Sequence, residues 1–337
     1  MLSSLRQFST KAPPPKYISF EPSSKCNLHC IMCTRETVLT HPPLNINMPF
    51  EDFKSMLDQF SAPEDVLLCG IGEPLLNKDI VRMVQYISDK GFRASMINNG
   101  TLMTKEKAHE LIEAGLKKIT FSVHGGTPET HYLIRQGPKN VDSLERLYQN
   151  IKGFVEVRNE RKADVFVIAN YLAARQTVSE FPETLRRAKE IGIDEVVALR
   201  LINVNGTLEH LSPANEQERE MVGYKKLAQE LGVKFSFWEG MGMCRQLWEC
   251  IFIMSNGDVG PCDGWFSDKP AMGNLLRDRV DDLWNGPGYQ DLRRTFLKRE
   301  LEWCKTCNLG GAFETPLELI ADKVKRRAKR FLPVLGT

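Results

Sequence analysis

The stretch Cys26-Asn-Leu-His-Cys30-Ile-Met-Cys33 places three cysteines within eight residues. Thiolate is the soft ligand that suits zinc, copper(I) and iron–sulfur clusters. A closed structural zinc site takes four protein ligands, whereas three ligands leave one position open for chemistry. The alternative interpretation is one buried face of a helix, because offsets of 0, 4 and 7 residues align on a helix. The polar residues Ser23, Ser24 and Lys25 just before the run favour a metal-binding loop.

Outward from this loop, short apolar strands alternate with helices six times. The strands are apolar on both faces, as parallel strands covered by helices must be, and the alternation predicts a parallel β/α fold. Six units are fewer than the eight of the usual barrel. We therefore predict an open, partial (βα)6 TIM-like barrel over residues 17–232. The predicted strands are 17–21, 65–69, 92–97, 118–123, 164–170 and 195–202.

Polar and glycine-rich residues gather where these predicted strands end. The second strand runs into Gly70-Ile-Gly72-Glu73-Pro74, the third ends at Asn98-Asn99-Gly100, and the fourth ends at His124-Gly-Gly. In β/α barrels the carboxyl edge of the sheet is where active sites are built. The sequence therefore predicts that these motifs and the cysteine loop surround one site.

A second cysteine-rich region follows residue 232 and holds five of the nine cysteines. The spacing Cys304-x2-Cys307 brings two thiolates into chelating reach. Upstream, Cys244 and Cys262 lie in loops or turns, whereas Cys250 begins an apolar strand, where a small buried thiol is the alternative interpretation. We predict a four-thiolate site made by Cys244, Cys262, Cys304 and Cys307, a set that zinc would satisfy as well as a cluster.

The first cysteine motif and the strand-end motifs together resemble the radical SAM superfamily over roughly residues 17–205. The resemblance implies a [4Fe–4S] cluster on Cys26, Cys30 and Cys33, with S-adenosylmethionine (SAM) on its open iron. It implies that the 70–74 element, with Gly72 and Glu73, receives the methionine amino group of that cofactor. Other cofactor-binding positions implied by the resemblance are Asn99, Ser122, Arg135 and Asn170. Asn98 departs from the family's threonine, and His124 stands where an aspartate is common.

The second region resembles the SPASM/twitch extension of that superfamily, which we place at residues 233–312. The first half of the extension's pattern is Cys-x9–15-Gly-x4-Cys, and Cys244, Gly257 and Cys262 fit it with twelve and four intervening residues. Cys250 leaves only six residues before Gly257 and falls outside the pattern. Because no cysteine follows Cys307, the resemblance implies one auxiliary [4Fe–4S] cluster.

The resemblance also implies a reaction. A reducing protein such as flavodoxin or ferredoxin would supply the electron that cleaves SAM to a 5′-deoxyadenosyl radical, and that radical would take a hydrogen atom from a sugar, an aminocyclitol or a peptide. The outcome would be oxidation, or epimerisation if Cys250 returns a hydrogen atom. The competing class is a non-catalytic iron–sulfur electron carrier or zinc-binding scaffold, which needs no cofactor cradle such as the 70–74 element.

Composition and the two termini complete the expectations. The chain has 337 residues and a net charge of +2, which gives no argument for nucleic-acid binding, and its two cysteine clusters favour reduced thiols in the cytoplasm. Residues 1–16 are predicted to be a disordered arm, with an organellar presequence as the alternative. Residues 313–337 contain the basic amphipathic run Lys323 to Arg330, which suits an anionic membrane surface or an acidic partner. A solvated terminal helix is the alternative there.

Overall fold

The computed structural model describes residues 9–37, 45–201, 208–237, 244–262 and 270–305. Three predictions fall on other parts of the chain. The first eight residues of the arm, the expected ligand Cys307 and the basic helix within residues 313–337 all lie outside the described residues.

One sheet of nine strands organises the described residues. The strands, numbered along the chain, are β1 (Tyr17–Phe20), β2 (Asp65–Leu68), β3 (Ala94–Asn98), β4 (Leu116–Val123), β5 (Phe166–Ala173), β6 (Glu195–Arg200), β7 (Lys234–Phe237), β8 (Cys250–Ile253) and β9 (Val259–Gly260). Their spatial order is β7-β6-β5-β4-β3-β2-β1-β8-β9. Every neighbouring pair is parallel except β8 and β9, which form an antiparallel hairpin. The mostly parallel sheet with its helices confirms the predicted partial TIM-like fold.

Helices follow most of the strands. They are α1 (Thr34–Thr37), α2 (Phe50–Leu57), α3 (Ile80–Asp89), α4 (Lys105–Glu113), α5 (Pro128–Arg135), α6 (Leu144–Glu160), α7 (Phe181–Ile191), α8 (Asn215–Gly223), α9 (Lys225–Leu231), α10 (Gln246–Glu249), α11 (Val280–Trp284), α12 (Pro287–Leu297) and α13 (Glu302–Lys305). No helix among these described residues is both long and apolar enough to cross a bilayer.

The core lies between the sheet and these helices. In α3, the buried residues Ile80, Met83, Val84 and Ile87 recur at the helical spacing that puts them on one face. In β4, Phe121 is fully buried and packs edge-on against Phe154 of α6, with ring centroids 5.8 Å apart. Helices therefore cover one face of the sheet, and that packing fixes the strand ends on which the site is built.

Two strands extend the sheet beyond the six predicted units. β7 lies beyond residue 232, in the second region, yet it pairs in parallel with β6. The paired residues run from Glu195 with Lys234 to Ala198 with Phe237. At the other side, β8 pairs in parallel with β1. A short apolar strand has the same pattern wherever it pairs, so the sequence could not assign these partners. The boundary near residue 232 stays a prediction, and the sheet continues across it.

The N-terminal arm differs from its prediction where it is described. Residues 9–16 are bound to the second region rather than disordered. Asn285 pairs with both backbone groups of Ala12, at 2.9 and 3.0 Å, and the indole N–H of Trp284 donates to the Pro13 carbonyl at 2.6 Å. The indole N–H of Trp248 donates to Ser9 at 2.7 Å. In each of these bonds the arm contributes a backbone group, so the hydropathy of its side chains could not predict them.

Candidate active site

The cysteine loop follows the carboxyl end of β1, as predicted. Cys26, Cys30 and Cys33 are all half-buried, and the three thiols lie within electrostatic range of one another. Burial raises the pKa of Cys30 to about 12 and that of Cys33 to about 11. The thiols therefore stay protonated unless a bound cation stabilises the thiolates. There is no disulfide among the eight described cysteines.

The donor set suits an iron–sulfur cluster chemically, because thiolate is the soft ligand that such clusters take. In the described ranges, no group of three or more His, Cys, Asp or Glu side chains is spaced for one metal ion. A four-iron cluster binds each thiolate on a different iron, so its ligands stand farther apart than those of one ion. Three thiols on one loop, within electrostatic range of one another, fit such a cluster by their number and softness and would leave one iron without a protein ligand.

An apolar cluster fixes this loop against the carboxyl edge of the sheet. The backbone N–H of Ile31 donates to the Ile134 carbonyl of α5 at 2.9 Å. Ile31 and Met32 pack against buried residues from α5, from the ends of β5 and β6 and from the segment after β6. These buried residues are Ile134, Leu172, Ala174, Leu201, Leu208 and Leu211. Apolar side chains thus exclude water from one side of the cysteine loop.

The 70–74 element runs directly against the start of the cysteine loop. A Cβ atom on Gly72 would lie 2.2 Å from the Ser23 carbonyl oxygen and 2.4 Å from that of Lys25. The next residue, Glu73, donates its backbone N–H to the Lys25 carbonyl at 2.7 Å. Only glycine lets the two segments approach this closely. The geometry therefore brings together two motifs that are far apart in the sequence.

Replacing Gly72 with alanine is expected to force these two segments apart. The atoms in the way are backbone carbonyls, so no side chain can move aside, and we expect the free energy of unfolding to fall by at least about 1–3 kcal/mol. Equilibrium binding of SAM should weaken as well. Gly223→Ala is the matched control, because a Cβ at that helical glycine meets nothing within 4 Å. Urea unfolding and SAM titration of both variants check this, and equal behaviour would contradict it.

A buried carboxylate connects three parts of the site. The Oε1 atom of Glu73 accepts from the Leu75 N–H at 3.0 Å, and its Oε2 atom accepts from the Asn99 N–H at 2.7 Å. The Asn99 side chain donates to Asn27 in the cysteine loop at 2.9 Å, and Asn27 donates to Thr101 at 2.8 Å. Burial raises the pKa of Glu73 to about 7. This network holds the ends of β2 and β3 against the cysteine loop.

Ser122 and Asn170 form a polar pair on the open face of the sheet. They are register partners in β4 and β5, so their side chains project from the same face. Both are half-exposed, whereas Phe121, Val123 and Tyr171 beside them are fully buried. The two polar side chains thus face the open interior near the strand ends, where a cofactor or a substrate has access.

Arg135 occupies the centre of a buried charge network. Its Nε and Nη2 atoms donate to the two carboxylate oxygens of Asp142, each at 2.9 Å. Its Nη1 atom donates to the Ser122 carbonyl at 2.5 Å, and Nη2 also donates to the Asn99 carbonyl at 2.7 Å. Four of its five N–H groups are therefore engaged by the protein. The resemblance implied contact with the cofactor, which stays a prediction, and in this structure Arg135 joins the ends of β3 and β4.

Two histidines surround this network. His131 of α5 contacts Asp142 through Nε2 at 3.1 Å. His124 is half-buried, and desolvation, together with the Arg135 charge, lowers the pKa of His124 to about 3. His124 is therefore neutral at ordinary pH and carries no charge toward the site.

Three of the four predicted auxiliary ligands lie in the described part of the chain. Cys244, Cys262 and Cys304 are half-buried, and Cys244 and Cys304 pack against the main core. In the β8–β9 hairpin, Phe252 pairs with Gly260 and Ile253 with Val259, so continuing this register places residue 250 across from residue 262. The hairpin therefore brings Cys250 close to a predicted ligand.

The structure does not bring Cys250 to the strand-end site. Cys250 pairs with Tyr17 at the amino end of β1, whereas the cysteine loop follows Phe20 at the carboxyl end. A strand of four residues is about 13 Å long. Cys250 and the strand-end motifs therefore lie near opposite ends of neighbouring strands.

Glu21 connects the two regions and was not singled out from the sequence. Its Oε1 atom accepts from the Ile71 N–H at 3.1 Å, and its Oε2 atom accepts from the Ser255 N–H at 3.1 Å and the Ser255 hydroxyl at 2.5 Å. Glu21 thus joins the 70–74 element to the turn of the β8–β9 hairpin. The sequence signal for Glu21 was an acidic residue at the end of an apolar strand. Asn27, Thr101 and Asp142 also belong to the hydrogen-bond networks of the site and were not singled out from the sequence.

Family models match both regions of the chain. The model described as Radical SAM superfamily matches residues 20–210. The SPASM model, described as an iron-sulfur cluster-binding domain, matches residues 244–308. These matches include the first three cysteines, all of the strand-end motifs and all four predicted auxiliary ligands.

Curated relatives differ in how much of their length the chain covers. A tungsten-containing aldehyde ferredoxin oxidoreductase cofactor-modifying protein of Pyrococcus furiosus is 26% identical, with 88% of each chain covered. A PqqA peptide cyclase of Xanthomonas campestris is 23% identical, with 89% of this chain and 85% of that protein covered. The chain spans about half the length of the AdoMet-dependent heme synthases that it also matches, 48% in Methanosarcina barkeri.

A solved structure shares the fold. Streptococcus suis SuiB, in a crystal structure with its precursor peptide SuiA, superposes with a TM-score of 0.71 and 18% identity. The match covers 96% of this chain and 76% of SuiB. The likeness extends over both the barrel and the second region.

Proposed function

This chain belongs to the radical SAM superfamily and carries a SPASM domain, and on that premise we propose that it removes a hydrogen atom from a carbon of its substrate and leaves that substrate oxidised. When bound, the first [4Fe–4S] cluster and SAM supply hydrogen-atom removal from an unactivated carbon, and an auxiliary cluster supplies an electron acceptor. The observation that carries the proposal is the convergence of the cysteine loop, Glu73, Asn99 and the Ser122–Asn170 pair at one edge of the sheet.

We assign the positions as follows. Cys26, Cys30 and Cys33 hold the first cluster. SAM binds against the backbone around Gly72. The hydrogen bond between the Asn99 N–H and the Glu73 carboxylate fixes the shape of this surface. Ser122 and Asn170 present polar atoms to the open interior. Arg135 acts on the cofactor indirectly, because its donors hold the strand ends that carry Asn99 and Ser122.

The placement of Cys250 supports oxidation over epimerisation. A hydrogen donor must reach the substrate carbon, and Cys250 lies about a strand length from the strand-end edge. The same separation suits an electron acceptor, which needs no contact with the substrate. We assign Cys244, Cys262, Cys304 and Cys307 as the auxiliary ligands.

A peptide is the substrate class that we propose. The PqqA peptide cyclase and the SuiB–SuiA complex, which both resemble this chain over most of its length, are named for peptides. Sugars and aminocyclitols are the competing substrates. Protease treatment of a substrate-containing extract distinguishes the two classes.

The test begins with anaerobic reconstitution of the full chain with iron and sulfide, followed by SAM and a chemical reductant. We expect 5′-deoxyadenosine, measured by chromatography. Its formation should be faster when a low-molecular-mass extract of the source organism, which retains short peptides, is added. Loss of that stimulation after protease treatment supports a peptide, and its persistence supports a small molecule. An electron carrier or zinc scaffold forms no 5′-deoxyadenosine, and that result would overturn the proposed function.

A further inference from the structure

Glu21 is a buried carboxylate directly after β1, and only 3% of the residue is exposed. Its three hydrogen-bond donors come from two distant segments. One is the Ile71 N–H of the 70–74 element, and the other two are the N–H and the hydroxyl of Ser255, in the turn between β8 and β9. An ionised carboxylate is an acceptor only, and a buried charge is stable only when donors satisfy it. The side chain therefore bridges two regions of the chain.

The 70–74 element packs tightly on this bridge. A Cβ atom on Gly70 would lie 2.4 Å from Cγ of Glu21 and 2.7 Å from its Oε1 atom. Gly72 lies equally close to backbone carbonyls at the start of the cysteine loop. Ile71, between the two glycines, donates its N–H to Glu21 at 3.1 Å. The backbone of the element is thus held between Glu21 on one side and the cysteine loop on the other.

The turn that carries Ser255 is fixed by hydrogen bonds within the second region. The Met254 N–H donates to the Asp258 carbonyl at 2.9 Å, and the Gly257 N–H donates to the Met254 carbonyl at 2.9 Å. The Asn274 side chain donates to the Asp258 carboxylate at 2.9 Å. Ser255 itself is 3% exposed. The position of the Glu21 carboxylate therefore follows that of the β8–β9 turn.

We propose that Glu21 is a positioning residue whose carboxylate holds the 70–74 element against the β8–β9 turn, so that the second region sets the backbone surface on which SAM binds. Glu21 acts through the Ile71 N–H and needs no contact with the cofactor. A residue of the second region, Ser255, thereby influences a site built on the barrel. This inference rests on the proposed function, because it requires that SAM binds against the 70–74 element.

Ser255→Ala in the full chain tests the bridge, because alanine keeps the backbone N–H and removes only the hydroxyl donor. In the reconstituted protein the dissociation constant of SAM, measured by calorimetric titration, should rise about threefold to thirtyfold, as expected for residues that share one network. In the protein without cofactors, hydrogen–deuterium exchange of the Ile71 amide should become faster. Ser236→Ala is the matched control, since its hydroxyl also donates to a buried carboxylate, that of Glu195 at 2.6 Å, but between β7 and β6. Both quantities should stay at their wild-type values in the control.

A double substitution separates the bridge from a local effect at Ser255. Glu21→Gln puts an amide donor where the carboxylate accepts, so it should weaken SAM binding by itself, and adding Ser255→Ala should then weaken it no further. Additive effects, or equal SAM affinity and Ile71 exchange in Ser255→Ala and Ser236→Ala, would overturn the role of Glu21. Where Glu21→Gln does not fold, the comparison of the two serine variants decides alone. A wild-type chain that carries its first cluster and binds no SAM overturns the proposed function instead, so the two failures are distinguishable.

Discussion

Cys30→Ala is expected to reduce the formation of 5′-deoxyadenosine to the background of the assay. Burial raises the pKa of the Cys30 thiol to about 12. Its ionised form therefore exists only when metal binds. The variant should also lose about four irons per chain, the content of one cluster. Iron and sulfide analysis with the product assay checks this expectation.

Cys69→Ala is the matched control for this experiment. Cys69 is also half-buried, and it lies beside Gly70 near the same edge of the sheet, but it is outside the cysteine motif. Its backbone N–H donates to the Phe20 carbonyl at 2.9 Å, a bond that alanine keeps. We expect unchanged iron content and activity. Full product formation by Cys30→Ala, or an equal loss in both variants, would contradict the assignment of the cluster ligands.

The sequence predicted the fold because its signals are local. Each predicted strand is apolar on both faces, and each strand end is marked by glycine or by polar residues, so the alternation of β1–β6 with helices could be inferred without tertiary information. The pairing of β8 with β1 joins residues that are more than 200 positions apart, and no periodicity encodes such a partner. The capped start of α5, with Thr127 as the cap and Pro128 as the first residue, is also a local signal.

The site could be predicted as a set of positions, but not as a set of contacts. The spacing of Cys26, Cys30 and Cys33 implies proximity, and the structure places the three thiols together. The partners of Arg135 could not be inferred in this way. Asp142 lies on a different element and satisfies the guanidinium only after the chain folds. A motif therefore predicts which residue types meet at a site, whereas burial and hydrogen bonding decide which of them remain available to a ligand.

The buried carboxylate of Asp142 is expected to be one of the most sensitive positions for stability. Asp142 is 3% exposed, and it accepts from Arg135 through both oxygens and contacts His131. Asp142→Ala leaves the buried guanidinium without its counter-charge, and breaking a buried pair in this way costs about 3–5 kcal/mol. Asp291→Ala is the control, because its ion pair with Arg294 is exposed and contributes about 0–1 kcal/mol.

The pH dependence of stability distinguishes this ion pair from simple loss of packing. Burial acts to raise the pKa of Asp142, but the hydrogen bond from His131 and the Arg135 charge outweigh it, so the pKa is lowered from its ordinary value. A carboxyl with a depressed folded-state pKa stabilises the protein above its unfolded-state pKa of about 3.9, and that contribution is lost as the pH falls through the folded-state value. The stability difference between wild type and Asp142→Ala in urea unfolding should therefore be constant from pH 6 to pH 8, where Asp142 stays ionised, and should shrink below about pH 4. A difference that does not change with pH would show that Asp142 acts through packing alone.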